Sequence, residues 1–309
     1  MTETHFSPPT IGVFDSGFGG LTVLRALIAR APQAHYAFIG DTARLPYGSK
    51  SRRTIARYAA QSARFLVEEQ GADYLVIACN TASALALEDI KEAVPSVPVI
   101  GVIEPGAEAA HRASKTKEVL VIATDATVQS HAYAAACQIH GVRALEKACP
   151  LLVPLVEEGW VTPPTLNAPP AAQAVSAPPQ VAAAAPPQVA QVAVTAEVIR
   201  IYFEELSAEA AAIGLTPDTL VLGCTHYPLL KPLIERVIPS GMRIIDSAES
   251  TADKLVLHLS RDLGAPPEPP PADPVLRFFA TDSVEKFERL GSRFLGRPIG
   301  NVQLVDLGG

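Results

Sequence analysis

The 309-residue chain is 48% hydrophobic and 18% charged, so it can bury the cores of two domains of ordinary size. Its 25 Lys plus Arg stand against 32 Asp plus Glu, a net charge of −7 with no basic stripe, which argues against a nucleic-acid partner. The cysteines at 79, 137, 149 and 224 show no C-x-x-C spacing or paired framework, and the N-terminus has no apolar signal region. Free thiols without an export signal point to a reducing cytoplasm. The uncharged run from Gly159 to Ala196 is long enough to span a bilayer, but Pro163, Pro164, Pro169, Pro170, Pro178, Pro179, Pro186 and Pro187 exclude a continuous helix and hence a membrane segment.

Ile11 to Phe14 reads as a short strand that ends in Asp15-Ser16-Gly17-Phe18-Gly19-Gly20. Leu21, Leu24, Leu27 and Ile28 then share one helical face. A strand, a glycine turn and a helix suit an anion, but G-x-G-G with no acidic ribose reader does not match a dinucleotide fingerprint. Asp15, just before the glycines, reads as a carboxylate aimed into a cleft. His35 to Gly40 is a second strand, and Asp41 to Gly48 a loop with Tyr47 as a candidate pocket wall. Thr54 to Gln70 is amphipathic. Tyr74 to Ala78 is a buried strand ending at Cys79, with Asn80 and Thr81 as caps for a helix from Ala82 to Val94. Val97 to Ile103 closes the first half, with a breakpoint at Glu104-Pro105-Gly106.

The alternation restarts with a strand at Glu118 to Ala123, a helix at Val128 to His140 and a strand at Val142 to Cys149. Glu157 and Glu158 read as a solvated helix face, and Cys137 and Cys149 as packing residues. Residues 161–196 are Ala/Pro/Gln/Val-rich without a single Lys, Arg, Asp or Glu, and read as a flexible insertion. Helix resumes at Glu197 to Ala212, and a strand runs from Asp218 into Cys224. Strands at Met242 to Ile245 and Val275 to Ala280, a helix at Asp253 to Leu263 and a last helix capped within Thr281 to Phe287 complete the chain. Strands alternating with helices imply right-handed crossovers and mostly parallel sheets.

Asp218-Thr-Leu-Val-Leu-Gly-Cys224 echoes Asp73-Tyr-Leu-Val-Ile-Ala-Cys79. Two scarce cysteines at matched strand ends suggest two similar halves, each presenting one thiol to a common cleft, the edge where open α/β sheets bind ligands. Three chemistries fit two facing thiols. A dithiol redox pair would usually have closer spacing. A cysteine hydrolase would leave one thiol idle. A two-base proton transfer gives both thiols equal work, with Asp15 and His226 as their assistants.

Asp15-Ser16-Gly17-x-Gly19-Gly20-Leu21, Pro46-Tyr47-Gly48, Cys79-Asn80-Thr81-Ala82 and Gly223-Cys224-Thr225-His226-Tyr227-Pro228-Leu229-Leu230 together resemble the cofactor-independent aspartate/glutamate racemase family. The ending Thr-His-Tyr-Pro is similar to its glutamate-specific branch. The resemblance runs from about Ile11 to Gly159 and from Glu197 to the end. It implies two pseudo-symmetric α/β domains, residues 8–104 with 248–309 and residues 105–247, with the active site in the cleft between them. It further implies interconversion of L- and D-glutamate for peptidoglycan without pyridoxal phosphate or metal, by a cytoplasmic homodimer. Carried over by residue, Cys79 takes the α-proton of D-glutamate, assisted by Asp15, and Cys224 that of L-glutamate, assisted by His226. Substrate contacts are implied for Asp15, Ser16, Tyr47, Gly48, Asn80, Thr81, Thr124, Thr127, Glu157, Thr225 and His226. A binding protein that kept the fold without turnover is the alternative, disfavoured by the intact Cys79/Asp15 and Cys224/His226 pairs. The 161–196 insertion, which begins just after Glu157-Glu158-Gly159-Trp160, departs from the family pattern.

Overall fold

A computed structural model describes residues 8–161, 187–264 and 274–308. The first half begins with β1 (Thr10–Asp15), α1 (Leu21–Arg30) and β2 (His35–Gly40). Short turns at Thr42–Arg44 and Tyr47–Ser49 lead to α2 (Arg52–Arg64), which ends in a π turn at Phe65–Glu69. Then come β3 (Tyr74–Ile77), α3 (Asn80–Leu85), α4 (Leu87–Ala93), β4 (Val99–Gly101) and α5 (Ile103–Ala113). The second half holds β5 (Glu118–Ala123), α6 (Asp125–Gln129), α7 (Ala132–Ile139), β6 (Arg143–Ala148) and α8 (Leu152–Glu157). It continues through α9 (Pro187–Ala212), β7 (Thr219–Gly223), α10 (Lys231–Val237) and β8 (Arg243–Asp246). The chain closes with α11 (Ser247–Leu263), β9 (Leu276–Ala280), α12 (Val284–Leu295) and β10 (Val302–Leu304).

Among the described residues these strands form two sheets, β10-β9-β2-β1-β3-β4 and β6-β5-β7-β8, with every pairing parallel. The expected mixed α/β architecture with parallel sheets is therefore present. Register decides what meets at the strand ends. Phe14 pairs with Ile77 and Asp15 with Gly40, so the Asp15 and Cys79 loops leave one sheet side by side. Ala123 pairs with Gly223, which brings Thr124 beside Cys224 in the other sheet.

The first sheet is apolar on both faces, as a parallel sheet covered by helices requires. Ile11, Val13, Tyr74, Val76 and Ala78 join one buried cluster, while Phe14, Leu75, Ile77 and Cys79 join another. The first cluster also takes in Val119, Val121, Leu220 and Leu222 of the second sheet, along with Ala107 of α5 and Leu255 of α11. The two halves thus share one continuous apolar core.

Several expectations need correction. The helix expected to resume at Glu197 starts ten residues earlier, at Pro187, within the stretch assigned to the insertion. Val192 and the buried Thr195 carry its apolar stripe back from Ile199, Phe203, Leu206 and Ala210, although the run has few large side chains. The rest of the expected insertion, 162–186, and most of the proline-rich piece at 265 lie outside the described residues.

The helix expected over Ala82 to Val94 breaks at Ala86, whose φ of −134° is not helical. Its N-cap is Cys79 itself, so Asn80 and Thr81 stand in the first turn. Glu104-Pro105-Gly106 lies inside α5, because a proline in a first turn removes an N–H that has no helical partner anyway. The helix expected at Val128 to His140 starts earlier and is split by His131 in the left-handed region, at φ 52°. α11 begins at Ser247 because the Asp246 carboxylate accepts from Ala248 N. Ser283 precedes α12 in the left-handed region and makes no side-chain cap. β10 was not expected, since Val302 is half-buried, Gln303 and Leu304 are exposed, and the three carry no periodic signal.

Gly40 is required by close approach, because a Cβ there would fall on the Gly17 carbonyl oxygen and within 2.7 Å of the Phe287 ring. Gly40→Ala should cost about 1–3 kcal/mol, read as a lowered chemical-denaturation midpoint. Gly48→Ala, whose added Cβ meets nothing nearer than Thr124 Cβ at 3.7 Å, should leave that midpoint unchanged.

Candidate active site

Each thiol stands at the foot of a short turn that its own strand aims across the cleft. Cys79 follows β3 and caps α3: Ala82 N donates to Sγ at 3.4 Å, and Sγ donates to Ser16 Oγ at 3.4 Å. Cys224 follows β7, with Sγ 3.9 Å from His226 Nδ1. Both cysteines are 5% exposed.

Their neighbours differ in charge. Burial, reinforced by the Asp15 carboxylate, pushes the Cys79 thiol up to about 12. Burial likewise raises Asp15, against the pull of His226 and of the backbone N–H groups of Gly20, Gly17 and Ser16. Gly17 N donates to Asp15 Oδ2 at 2.9 Å, while Oδ1 is buried without a partner. The field of His226 at Asp15 couples the two ends of the site. Burial alone would lower His226, but hydrogen bonds with Cys224 and Glu157 outweigh it and raise the imidazole to about 10. Glu157 Oε1 sits 3.3 Å from His226 Nε2, and its Oε2 lies 3.6 Å from Lys286 Nζ. Burial opposes ionisation of Glu157, yet the contacts with His226 and Lys286 hold its pKa below the usual carboxylate range.

The glycine turn after β1 is shaped for this neighbour. A Cβ on Gly19 would fall on Thr225 Oγ1 and lie 2.6 Å from the His226 ring. Thr22 Oγ1 donates to the Thr225 carbonyl at 3.1 Å. Phe294 of α12 meets the imidazole edge-on at 5.0 Å between ring centres, and Phe18 lies 6.4 Å away. These aromatic walls keep water from His226 and fix its ring plane.

The other expected contacts line the same place. Thr81 Oγ1 lies 3.1 Å from Thr124 Oγ1 and 3.4 Å from Thr127 Oγ1, and the last two are 3.0 Å apart. Three hydroxyls from both halves thus satisfy one another. Asn80 Oδ1 accepts from Tyr133 at 2.7 Å, and Asn80 Nδ2 is buried without a partner. Tyr47 is buried and donates to Asp41 Oδ2 at 2.6 Å. Gly48, on the Tyr47 turn, faces Thr124.

All thirteen expected site residues are brought together. The reading of Glu157 as a solvated helix face is corrected, for its carboxylate is tied to His226. Sequence reasoning missed Asp41, Lys286 and Tyr133. Asp41 had a usable signal, since like Asp15 it follows a strand end. Lys286 and Tyr133 had none, lying on helices whose facing partners are distant in the chain.

Paired thiols with separate proton-handling neighbours, in a closed polar site, can remove and return a proton on opposite faces of a carbon acid. Comparison with known proteins agrees. The Asp/Glu/hydantoin racemase family model matches residues 11–168. Glutamate racemase of Koribacter versatilis is 50% identical, over 97% of this chain and 98% of its own. Among solved structures, glutamate racemase isoform RacE1 of Bacillus anthracis superposes with a TM-score of 0.79 at 34% identity, covering 97% of this chain and 98% of that one. Glutamate racemase of Francisella tularensis, solved with D-glutamate, gives 0.78 at 31% identity over 97% and 98%. By fold, motif order and sequence, the chain belongs to the Asp/Glu/hydantoin racemase family.

Proposed function

We propose that this chain is a glutamate racemase that interconverts L- and D-glutamate through its two thiols, supplying D-glutamate for peptidoglycan without pyridoxal phosphate or metal. The observation that carries the reading is the placement of Cys79 and Cys224 at equivalent strand ends of the two sheets, each beside a different proton-handling group. Residues 8–104 with 248–309 form one domain of this enzyme and residues 105–247 the other, a division supported by the strand membership of the two sheets. No described helix is long and apolar enough to cross a membrane. A cytoplasmic homodimer belongs to the same proposal and rests on the family resemblance.

In the L-to-D direction the Cys224 thiolate removes the α-proton, with His226 holding the thiol's former proton as imidazolium. Cys79, kept protonated by burial and by Asp15, delivers its proton to the opposite face. In reverse, Cys79 first gives its proton to Asp15, whose raised pKa suits it to accept one, and the His226 imidazolium returns its proton to Cys224. The Cys79 thiolate then removes the α-proton and the Cys224 thiol delivers its own to the opposite face. Ser16, Tyr47, Gly48, Asn80, Thr81, Thr124, Thr127 and Thr225 position the substrate, whose carboxylates replace the hydroxyl–hydroxyl bonds of the threonine cluster.

Cys79→Ser and Cys224→Ser should each lower racemisation by at least about 10³-fold. In deuterated water the two variants should retain residual α-proton exchange from opposite enantiomers. Identical exchange by both, or glutamate binding in calorimetry with no turnover by the unaltered chain, would refute the assignment.

The Glu157 charge favours the imidazolium, so its loss should let His226 give up its proton at lower pH. In Glu157→Gln the alkaline limb of the L-to-D rate profile should move down by about one pH unit. An unmoved or upward-shifted limb would mean that Glu157 does not hold the proton on His226.

A further inference from the structure

Asn80 carries a carboxamide with one end tied and the other free. Its Oδ1 accepts from the Tyr133 hydroxyl at 2.7 Å, whereas Nδ2 is buried without a hydrogen-bond partner. Tyr133 is itself fully buried on α7, in the half opposite Asn80. Two glycines make room for its ring: a Cβ on Gly223 would lie 3.0 Å from its Cε2 and one on Gly106 3.3 Å from its Cε1. Burial raises the phenol's pKa well above its ordinary range, so the oxygen keeps its proton and donates it.

An amide plane has two chemically opposite ends, and a donor fixed on the oxygen sends the NH₂ the other way. A buried NH₂ without an acceptor is costly, and an acceptor brought by a ligand beside it would complete it. Asn80 directly follows Cys79, and Thr81 beside it belongs to the hydroxyl cluster. Resting on the racemase reading above, we propose that Tyr133 is a positioning residue that locks the Asn80 carboxamide with its Nδ2 donor turned to a substrate carboxylate. The lock crosses between the halves, so the donor is correctly set only when both halves are together.

The test starts from racemisation of each glutamate enantiomer by the unaltered chain; its absence defeats the racemase reading and this proposal with it. Given turnover, Tyr133→Phe removes one oxygen and keeps the ring. It should raise KM for both enantiomers about tenfold with kcat within about twofold. In an Asn80→Ala background, itself raised in KM, the same change should add less than about twofold. An unchanged KM in Tyr133→Phe, or the same tenfold rise in the Asn80→Ala background, would overturn the proposal. If Tyr133→Phe does not fold, Asn80→Asp decides. It keeps an acceptor for Tyr133 but offers no donor to the substrate, so it should bind glutamate more weakly than Asn80→Ala. Binding as tight as in the unaltered chain would mean that an acceptor, not Nδ2, faces the substrate.

Discussion

Everything at the site depends on where parallel strands stop. In both sheets the strand order and register bring a sulfur and a proton-handling partner to the same carboxyl-terminal edge, and the loops there have nowhere to go but toward the other sheet. Exposed loop groups at such edges are free of ladder bonds and therefore available for a ligand. The glycine turn after β1 is the clearest case, since its lack of side chains lets His226 and Thr225 of the opposite half come close.

The chemistry of the two sulfurs follows from their neighbours rather than from the sulfurs. One lies next to a buried carboxylate, the other next to an imidazole backed by a second carboxylate and a lysine. A negative neighbour keeps a thiol protonated, and a positive one stabilises a thiolate. Two equivalent positions in a repeated fold have in this way acquired neighbours of opposite charge. α12 sharpens the contrast, because it returns from the far end of the chain to press Phe294 on the imidazole and to bring Lys286 to Glu157.

The sequence disclosed the two thiols through their repeated strand-end context, and most strands through unbroken apolar runs. It did not disclose which residue caps α3, because a sulfur is a weak acceptor and Asn80 and Thr81 fit cap statistics better. It concealed the first turns of α9, where Val192 and Thr195 supply the buried stripe within a run of small residues that reads as low complexity. It could not show that Glu157 turns inward, since the partner that draws it in lies 69 positions away. Local patterns revealed the elements; the pairings across the cleft depended on the fold.

One apolar cluster runs without interruption from the first sheet through α5 and α11 into the second. At the site the halves also meet through hydroxyls, an amide and charged groups. A pair of lobes joined by oil in one place and by polar contacts in another behaves like a book bound along its spine. Separating the polar pages exchanges protein hydrogen bonds for water, whereas splitting the spine exposes apolar area. The spine fixes how the two lobes pair, and the sulfurs lie where the polar contacts cross between them.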